Sequence, residues 1–277
     1  VLFVVLMAYF FTYLLPSYDA MIAVGGSTAD GLLEQGPSWY YNGITVVGFF
    51  VASLLFFNSL FLLGRGIRNY ARSHKANVFA SAVGLFRGHA ATYGGFIAHL
   101  AMSIILVGLI GSSMYVTERV GYVGYDEATD STTEDFTIQD FTLVYTGNDI
   151  ELQENQDDII YELDFDVYRN GEYVGHVHPS VQLVQSTQQQ KLNAGVIGFP
   201  LEDLFVVYKG VNDEGAFAMD VRVNPLVTFV WVGFGLLMVG ITLALVGRRT
   251  PKRREGALEV DTADAEGDDS SSESPKA

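Results

Sequence analysis

Long apolar runs without charged side chains alternate along the chain with stretches that are rich in charge. An α-helix rises about 1.5 Å per residue, so about 20 apolar residues cross the hydrocarbon core of a bilayer. The pattern therefore predicts four transmembrane helices, the first of them short and without the basic start or cleavage site of a signal peptide. Their approximate extents are residues 1–15, 43–63, 92–115 and 225–247, and the first three occupy residues 1–115 together with their loops.

Residues 116–224, between the third and fourth runs, have a different pattern, in which apolar and polar residues alternate. The alternation is clear in Phe136–Tyr145, Ile160–Tyr168 and Leu204–Tyr208. Period-two patterns rich in aromatic and β-branched residues predict strands, and Asn170-Gly171 is typical of a two-residue hairpin turn. We predict a mixed membrane protein whose exported domain is an antiparallel β-sandwich or barrel-like fold of six to eight strands.

The charges between the spans predict how the chain is oriented. Basic side chains without acidic ones occupy residues 65–91, more basic residues follow the fourth span, and the loop at residues 16–42 is acidic without Lys or Arg. The positive-inside rule then places both chain ends in the cytoplasm and residues 116–224 on the outer, periplasmic or extracellular, face of the plasma membrane. Residues 248–277 start basic and become rich in Asp, Glu and Ser, a composition typical of a disordered cytoplasmic tail.

The overall composition is acidic, with 16 Lys and Arg against 32 Asp and Glu and no Cys. This balance argues against a nucleic-acid partner and excludes disulfides and thiol chemistry on this chain. The exported stretch alone has 21 acidic and 5 basic residues. Such a surface is typical of a protein from a halophile, of a domain that binds a basic protein partner, or of an ordinary acidic exported domain.

The side chain most indicative of chemistry is His99, which lies well inside the third span. An ionisable group at that depth is costly and usually faces a bundle interior or a cavity. Gly95, His99 and Ser103 recur every four residues, and the glycine leaves room beside the imidazole for a flat group. An axial bond to haem iron, a hydrogen bond to a neighbouring helix and proton transfer are all compatible with this pattern.

Arg87 and His89 lie at the cytoplasmic start of the third span. Both side chains could contact haem propionates. The alternative is that His89 only meets lipid headgroups at the interface.

His176 and His178 are two residues apart just before Pro179, in an extended segment. Two imidazoles on one strand face can begin a metal site. The sequence names no third ligand, and the segment also fits the plain end of a strand.

Several segments together resemble the C-terminal part of the CcmF family, the haem lyase subunit of cytochrome c maturation. The resemblance covers roughly residues 1–250. It rests on Gly94-Gly95 followed by His99-Leu100, and on the segments Glu34–Asn42, Glu202–Gly210 and Val221–Val227.

The resemblance implies that His99 is one axial ligand of a membrane haem b that two transmembrane histidines hold in this family. The family's other transmembrane histidine, its Trp-rich haem-handling segment and the external histidines beside it have no counterpart here. This difference suggests a fragment or split subunit of a cytochrome c haem lyase, whose second ligand comes from an upstream or companion half. The implied partners are a haem chaperone, thiol-handling maturation subunits, apocytochrome c and quinol.

Two other functions remain compatible with the sequence. One is a non-catalytic membrane scaffold in which His99 only packs and the exported domain recruits partners. The other is a transporter permease, although residues 65–91 lack an evident coupling helix for an ATPase.

Overall fold

The computed structural model describes residues 1–23, 38–75, 77–126, 128–129, 131–153, 158–187 and 189–248. The predicted acidic tail and most of the loop at residues 16–42 lie outside them. Four helical stretches in the described part are long and apolar enough to cross a membrane, as predicted. The helices are α1 (Leu2–Tyr9), continued by a π-helical turn (Phe10–Leu14) into α2 (Leu15–Ala23), then α3 (Ser38–His74), α4 (Val78–Met114) and α5 (Val227–Arg248).

Helices α3 and α4 are longer than the apolar runs that predicted them. We expected residues 65–91 to be a loop, but residues 65–74 lie in α3 and residues 78–91 lie in α4, which is kinked at His89. The Asn77 side chain caps the start of α4 by accepting a 2.8 Å hydrogen bond from the Ala80 amide. Hydropathy detects only the part of a helix that suits lipid, so charged extensions of the same helix are missed.

Small residues bring α4 and α5 into close antiparallel contact. A Cβ added to Gly94 would lie 2.5 Å from the Ala244 nitrogen, and one added to Gly240 would lie 2.7 Å from the Ala98 nitrogen. Gly108 and Gly233 are equally tight against the opposite helix. Such contacts let helix backbones approach each other in lipid, where no hydrophobic force drives association.

The region between α4 and α5 is built from antiparallel strands, twelve of them in the described residues. The predicted number of six to eight is too low, because β2, β3, β4 and β10 are too short to show a period. The strands are β1 (Thr117–Val123), β2 (Tyr125–Asp126), β3 (Ser131–Thr132), β4 (Phe136–Ile138), β5 (Phe141–Gln153), β6 (Asp158–Arg169), β7 (Glu172–Val177), β8 (Ser180–Val184), β9 (Gln189–Asn193), β10 (Gly195–Gly198), β11 (Glu202–Val211) and β12 (Phe217–Pro225).

Two sheets face each other across one hydrophobic core. One has the order β1-β12-β11-β10, and the other has the order β4-β5-β6-β8-β9, with β7 also paired to β6; β2 and β3 form a small ribbon. Leu204, Val206 and Val221 of the first sheet pack with Phe141 and Phe165 of the second, all fully or almost fully buried. The predicted fold class, a membrane protein with an antiparallel β domain, is confirmed.

The predicted hairpin turn is confirmed, and two irregularities were not predicted. Asn170 and Gly171 both have positive φ, 50° and 83°, and connect β6 to β7. The expected run Phe136–Tyr145 is divided at Gln139, whose φ is 51°. A β-bulge makes Val174 an extra residue in β7, because Val167 pairs with Gly175 while Tyr168 pairs with Tyr173.

The β domain lies at one end of the helices. Tyr13 reaches Glu202, the hydroxyls of Thr45 and Tyr115 lie 2.8 Å apart, and the Leu226 amide donates to the Leu201 carbonyl at 2.6 Å. The end of the first span, the start of α3, the end of α4 and the start of α5 therefore lie at that end. This is the alternation of spans that the predicted orientation requires.

Candidate functional site

The His99 side chain is exposed on a face of α4 that does not pack against the described helices. The packed side of α4 faces α3 and α5 and carries the close contacts of Gly94 and Gly108. Thr92 and Met102 are also exposed, and their spacing places them on the His99 side of the helix. An imidazole on a membrane-length apolar helix thus points away from this chain's own bundle.

Gly95 provides open space on the same face. A Cβ added there would meet nothing within 4 Å, whereas a Cβ on the neighbouring Gly94 would collide with α5. The two adjacent glycines therefore have different roles, since Gly94 allows close helix contact and Gly95 leaves room one turn from His99. An accessible imidazole with free space beside it fits one side of a haem.

Ser103 does not belong to this face, so the predicted stripe is wrong at its third position. Its side chain is 1% exposed, and its hydroxyl donates a 2.6 Å hydrogen bond to the Leu100 carbonyl. With 3.6 residues per turn, eight residues rotate a helix by about 80° beyond two full turns. The stripe is therefore limited to Gly95 and His99.

Arg87 and His89 are exposed in the first half of α4, away from the end of the helix that leads into the β domain. The backbone at His89 is not helical, with φ −138° and ψ 35°, so α4 is kinked there. His89 is ten residues before His99 and Arg87 is twelve. In a continuous helix these separations correspond to about 15 and 18 Å along the axis. No hydrogen bond or ion pair in the described part of the chain joins these side chains to His99, and their propionate role stays a prediction.

His176 and His178 lie together on the outward face of the β6–β7 pair. Their ring centroids are 4.3 Å apart, and both meet carboxylates of β6. His176 Nδ1 lies 2.8 Å from Asp166 Oδ1, and His178 Nδ1 lies 2.5 Å from Asp164 Oδ1. Neither aspartate could be predicted from the sequence, because the bulge at Val174 determines which β6 residues face the histidines.

A partly buried polar cluster, centred on the buried Glu202 at the membrane end of the β domain, was also not predicted. Glu202 is 2% exposed, yet it accepts hydrogen bonds from Tyr13 and Arg169, each at 2.5 Å. Arg169 also donates to Asp140 at 2.6 Å. Burial alone would lower the pKa of Arg169, but the bond to Asp140 and the charge of Glu202 raise it above its ordinary value. The guanidinium thus stays charged and compensates the buried carboxylate.

Comparison with known proteins relates most of the chain to proteins of one name. No family model matches it. It is 24% identical over 222 residues, 80% of its length, to the cytochrome c-type biogenesis protein CcmF of Pseudomonas aeruginosa. It is also 32% identical over 83 residues, 30% of its length, to the protein of the same name from Pseudomonas fluorescens. Over most of its length the chain is therefore similar to CcmF proteins.

The match covers only part of the CcmF relatives. The chain spans 31% of the Pseudomonas aeruginosa protein, and the shorter alignment spans 13% of the Pseudomonas fluorescens protein. A solved structure titled cytochrome c heme lyase CcmF aligns with 84% of this chain and 44% of its own, at 16% identity and a TM-score of 0.49. The CcmF relationship and the four membrane-length helices make the chain an integral membrane protein.

Proposed function

We propose that this chain acts in cytochrome c biogenesis as the part of a CcmF-family haem lyase that holds one side of a haem b. The observation that carries the proposal is the exposed imidazole of His99 beside the open space at Gly95. A buried or hydrogen-bonded His99 would have favoured simple packing. The cytochrome c biogenesis pathway in this proposal comes from the similarity to the two CcmF proteins.

In this proposal the residues of α4 bind and position the group. His99 would hold the haem iron through one ring nitrogen, and Gly95 would keep the adjacent surface clear. The apolar face around His99 excludes water and lowers the local dielectric, which tunes the potential of bound iron. When bound, haem supplies one-electron chemistry, here the acceptance of electrons from quinol and the reduction of incoming haem iron.

A second protein segment completes the proposed site. One imidazole supplies one axial ligand, and His99 is the one histidine in the uncharged runs at residues 1–15, 43–63, 92–115 and 225–247. The second ligand then comes from an upstream or companion half of the same protein. That half would cover the exposed face of α4.

We propose that the β domain binds the partner proteins of the reaction. With both chain ends in the cytoplasm, the strands face the outer side, where haem is attached to apocytochrome c. The strongly acidic stretch from residue 116 to 224 offers a docking surface for a basic apocytochrome, and the haem chaperone and thiol-handling subunits meet the same side.

The experiment is a reduced-minus-oxidised spectrum of the complete membrane complex, with wild-type chain and with His99→Ala. The b-type α band should disappear in His99→Ala and persist in His74→Ala, which changes an exposed histidine at the end of α3. A band that survives His99→Ala would refute axial ligation. A wild-type complex without haem would instead favour a scaffold whose β domain recruits partners.

A further inference from the structure

We propose that Asp164, His176 and His178 form a binding site for a divalent transition-metal ion of the Zn²⁺ class on the outward face of the β domain. Each side chain offers one ligand atom, and the three atoms lie within 4.8 Å of one another. Two imidazoles and a carboxylate are a donor set that zinc accepts in proteins. The site is separate from His99 and does not depend on the haem proposal.

The geometry is close to that of a bound ion. His176 Nε2 lies 3.8 Å from Asp164 Oδ1. Zinc bonds of about 2.0–2.1 Å in a tetrahedron place neighbouring ligand atoms about 3.3–3.4 Å apart, so this pair needs a shift of about 0.5 Å. His178 Nδ1, now 2.5 Å from the same oxygen, donates a proton to it; as the ion enters between them, that nitrogen would lose this proton, which is released to solvent or moves to Nε2, and the ring would move outward. Its side chain is 53% exposed, which leaves that movement free.

A second carboxylate orients one of the ligands. Asp166 Oδ1 accepts a hydrogen bond from His176 Nδ1 at 2.8 Å, which assigns the proton to that nitrogen. In the neutral imidazole the Nε2 lone pair then faces the Asp164 carboxylate, and two electron-rich atoms in this position attract a cation between them. A carboxylate behind a ligating imidazole is a recurrent feature of protein zinc sites.

The surrounding charge also favours a dication. Glu162 lies on the same strand face, with Oε1 3.7 Å from His178 Nδ1. Three carboxylates of one strand thus surround two imidazoles, in a domain stretch that is strongly acidic. Three protein ligands leave a fourth coordination position for water, as in zinc sites that remain open to solvent.

The test measures Zn²⁺ binding to the full chain in detergent, purified without a polyhistidine tag and stripped with EDTA. Competition against a chromophoric chelator should give one Zn²⁺ per chain. Asp164→Asn and His176→Gln should each abolish this binding, and His74→Ala should leave it unchanged. Asp166→Asn should keep the stoichiometry but weaken affinity by about 10–100-fold, because it changes only the orienting contact.

Co²⁺ distinguishes a built site from loose attraction to an acidic surface. A tetrahedral Co²⁺ spectrum in the wild type, lost in His176→Gln and retained in His99→Ala, supports the proposal. Binding that is equal in wild type and Asp164→Asn, or that excess Ca²⁺ displaces, would overturn it. Circular dichroism of the β domain confirms that each variant is folded.

Discussion

The Tyr13 hydroxyl donates a 2.5 Å hydrogen bond to the Glu202 carboxylate, which joins residues 189 positions apart in the sequence. Tyr13 lies in the first membrane span and Glu202 begins β11. Arg169 holds the other carboxylate oxygen at 2.5 Å. The first span is therefore attached to the β domain by a partly buried, charge-assisted hydrogen bond, which is stronger than one between neutral groups.

Removal of the Tyr13 hydroxyl should loosen this attachment. We expect Tyr13→Phe to lower the free energy of unfolding by about 1.5–3 kcal/mol, the usual range for a hydrogen bond to a charged group. The measurement is the midpoint of thermal unfolding in detergent. Tyr9→Phe is the matched control, because Tyr9 stacks on Tyr13 but its buried hydroxyl has no partner among the described residues. Equal losses in both variants would contradict a role for the bond itself.

Asp220 should make the β domain sensitive to acid. It is 1% exposed, and burial alone would raise its pKa, but contacts with Arg222 at 3.0 Å and Lys209 at 2.7 Å hold the pKa below its ordinary value. A carboxylate with a depressed folded-state pKa stabilises the fold above its unfolded pKa of about 3.9, and this stabilisation is lost as the pH falls further.

The corresponding experiment is urea unfolding from pH 7 to pH 2. Asp220→Asn should be less stable than wild type at pH 7 and should lose less stability below about pH 4. Asp213→Asn, in an exposed turn, should follow the wild-type curve. Parallel curves for wild type and Asp220→Asn would show that the ion pairs contribute no acid sensitivity.

The close contact of α4 and α5 should tolerate no side chain at Gly240. A Cβ there would lie 2.7 Å from a backbone nitrogen of α4. Gly240→Val should therefore lower the free energy of unfolding by at least about 1–3 kcal/mol or prevent folding. Gly235→Val makes the same change in the same helix where a Cβ meets nothing within 4 Å. Size-exclusion profiles and thermal midpoints should separate the two variants, and similar behaviour would refute the packing argument.

A large side chain at Gly95 should block haem without disturbing the fold. Gly95→Leu fills space that is open in this chain, so its thermal midpoint should stay near that of wild type while the b-type absorbance of the complete complex falls. Gly235→Leu, on α5, is the control and should retain haem. Full haem occupancy in Gly95→Leu would show that the group does not use this space.

The sequence by itself determined the features that depend on local composition and periodicity. Uncharged apolar runs identified the four spans, three of them long enough by themselves to cross a bilayer, because a helix satisfies its own backbone in lipid. Alternation identified the β domain, and Asn170-Gly171 identified its hairpin, since positive φ there needs these residues. His99 stood out because an ionisable group is costly at membrane depth.

Only the tertiary structure decided which distant side chains meet. The extra residue Val174 shifts the β6–β7 register by one position, and in a strand one position exchanges the inward and outward faces. Without that bulge His176 would oppose the buried Phe165, and with it His176 opposes Asp166. The contact of Tyr13 with Glu202 likewise arises from packing across the whole chain, which no local pattern encodes.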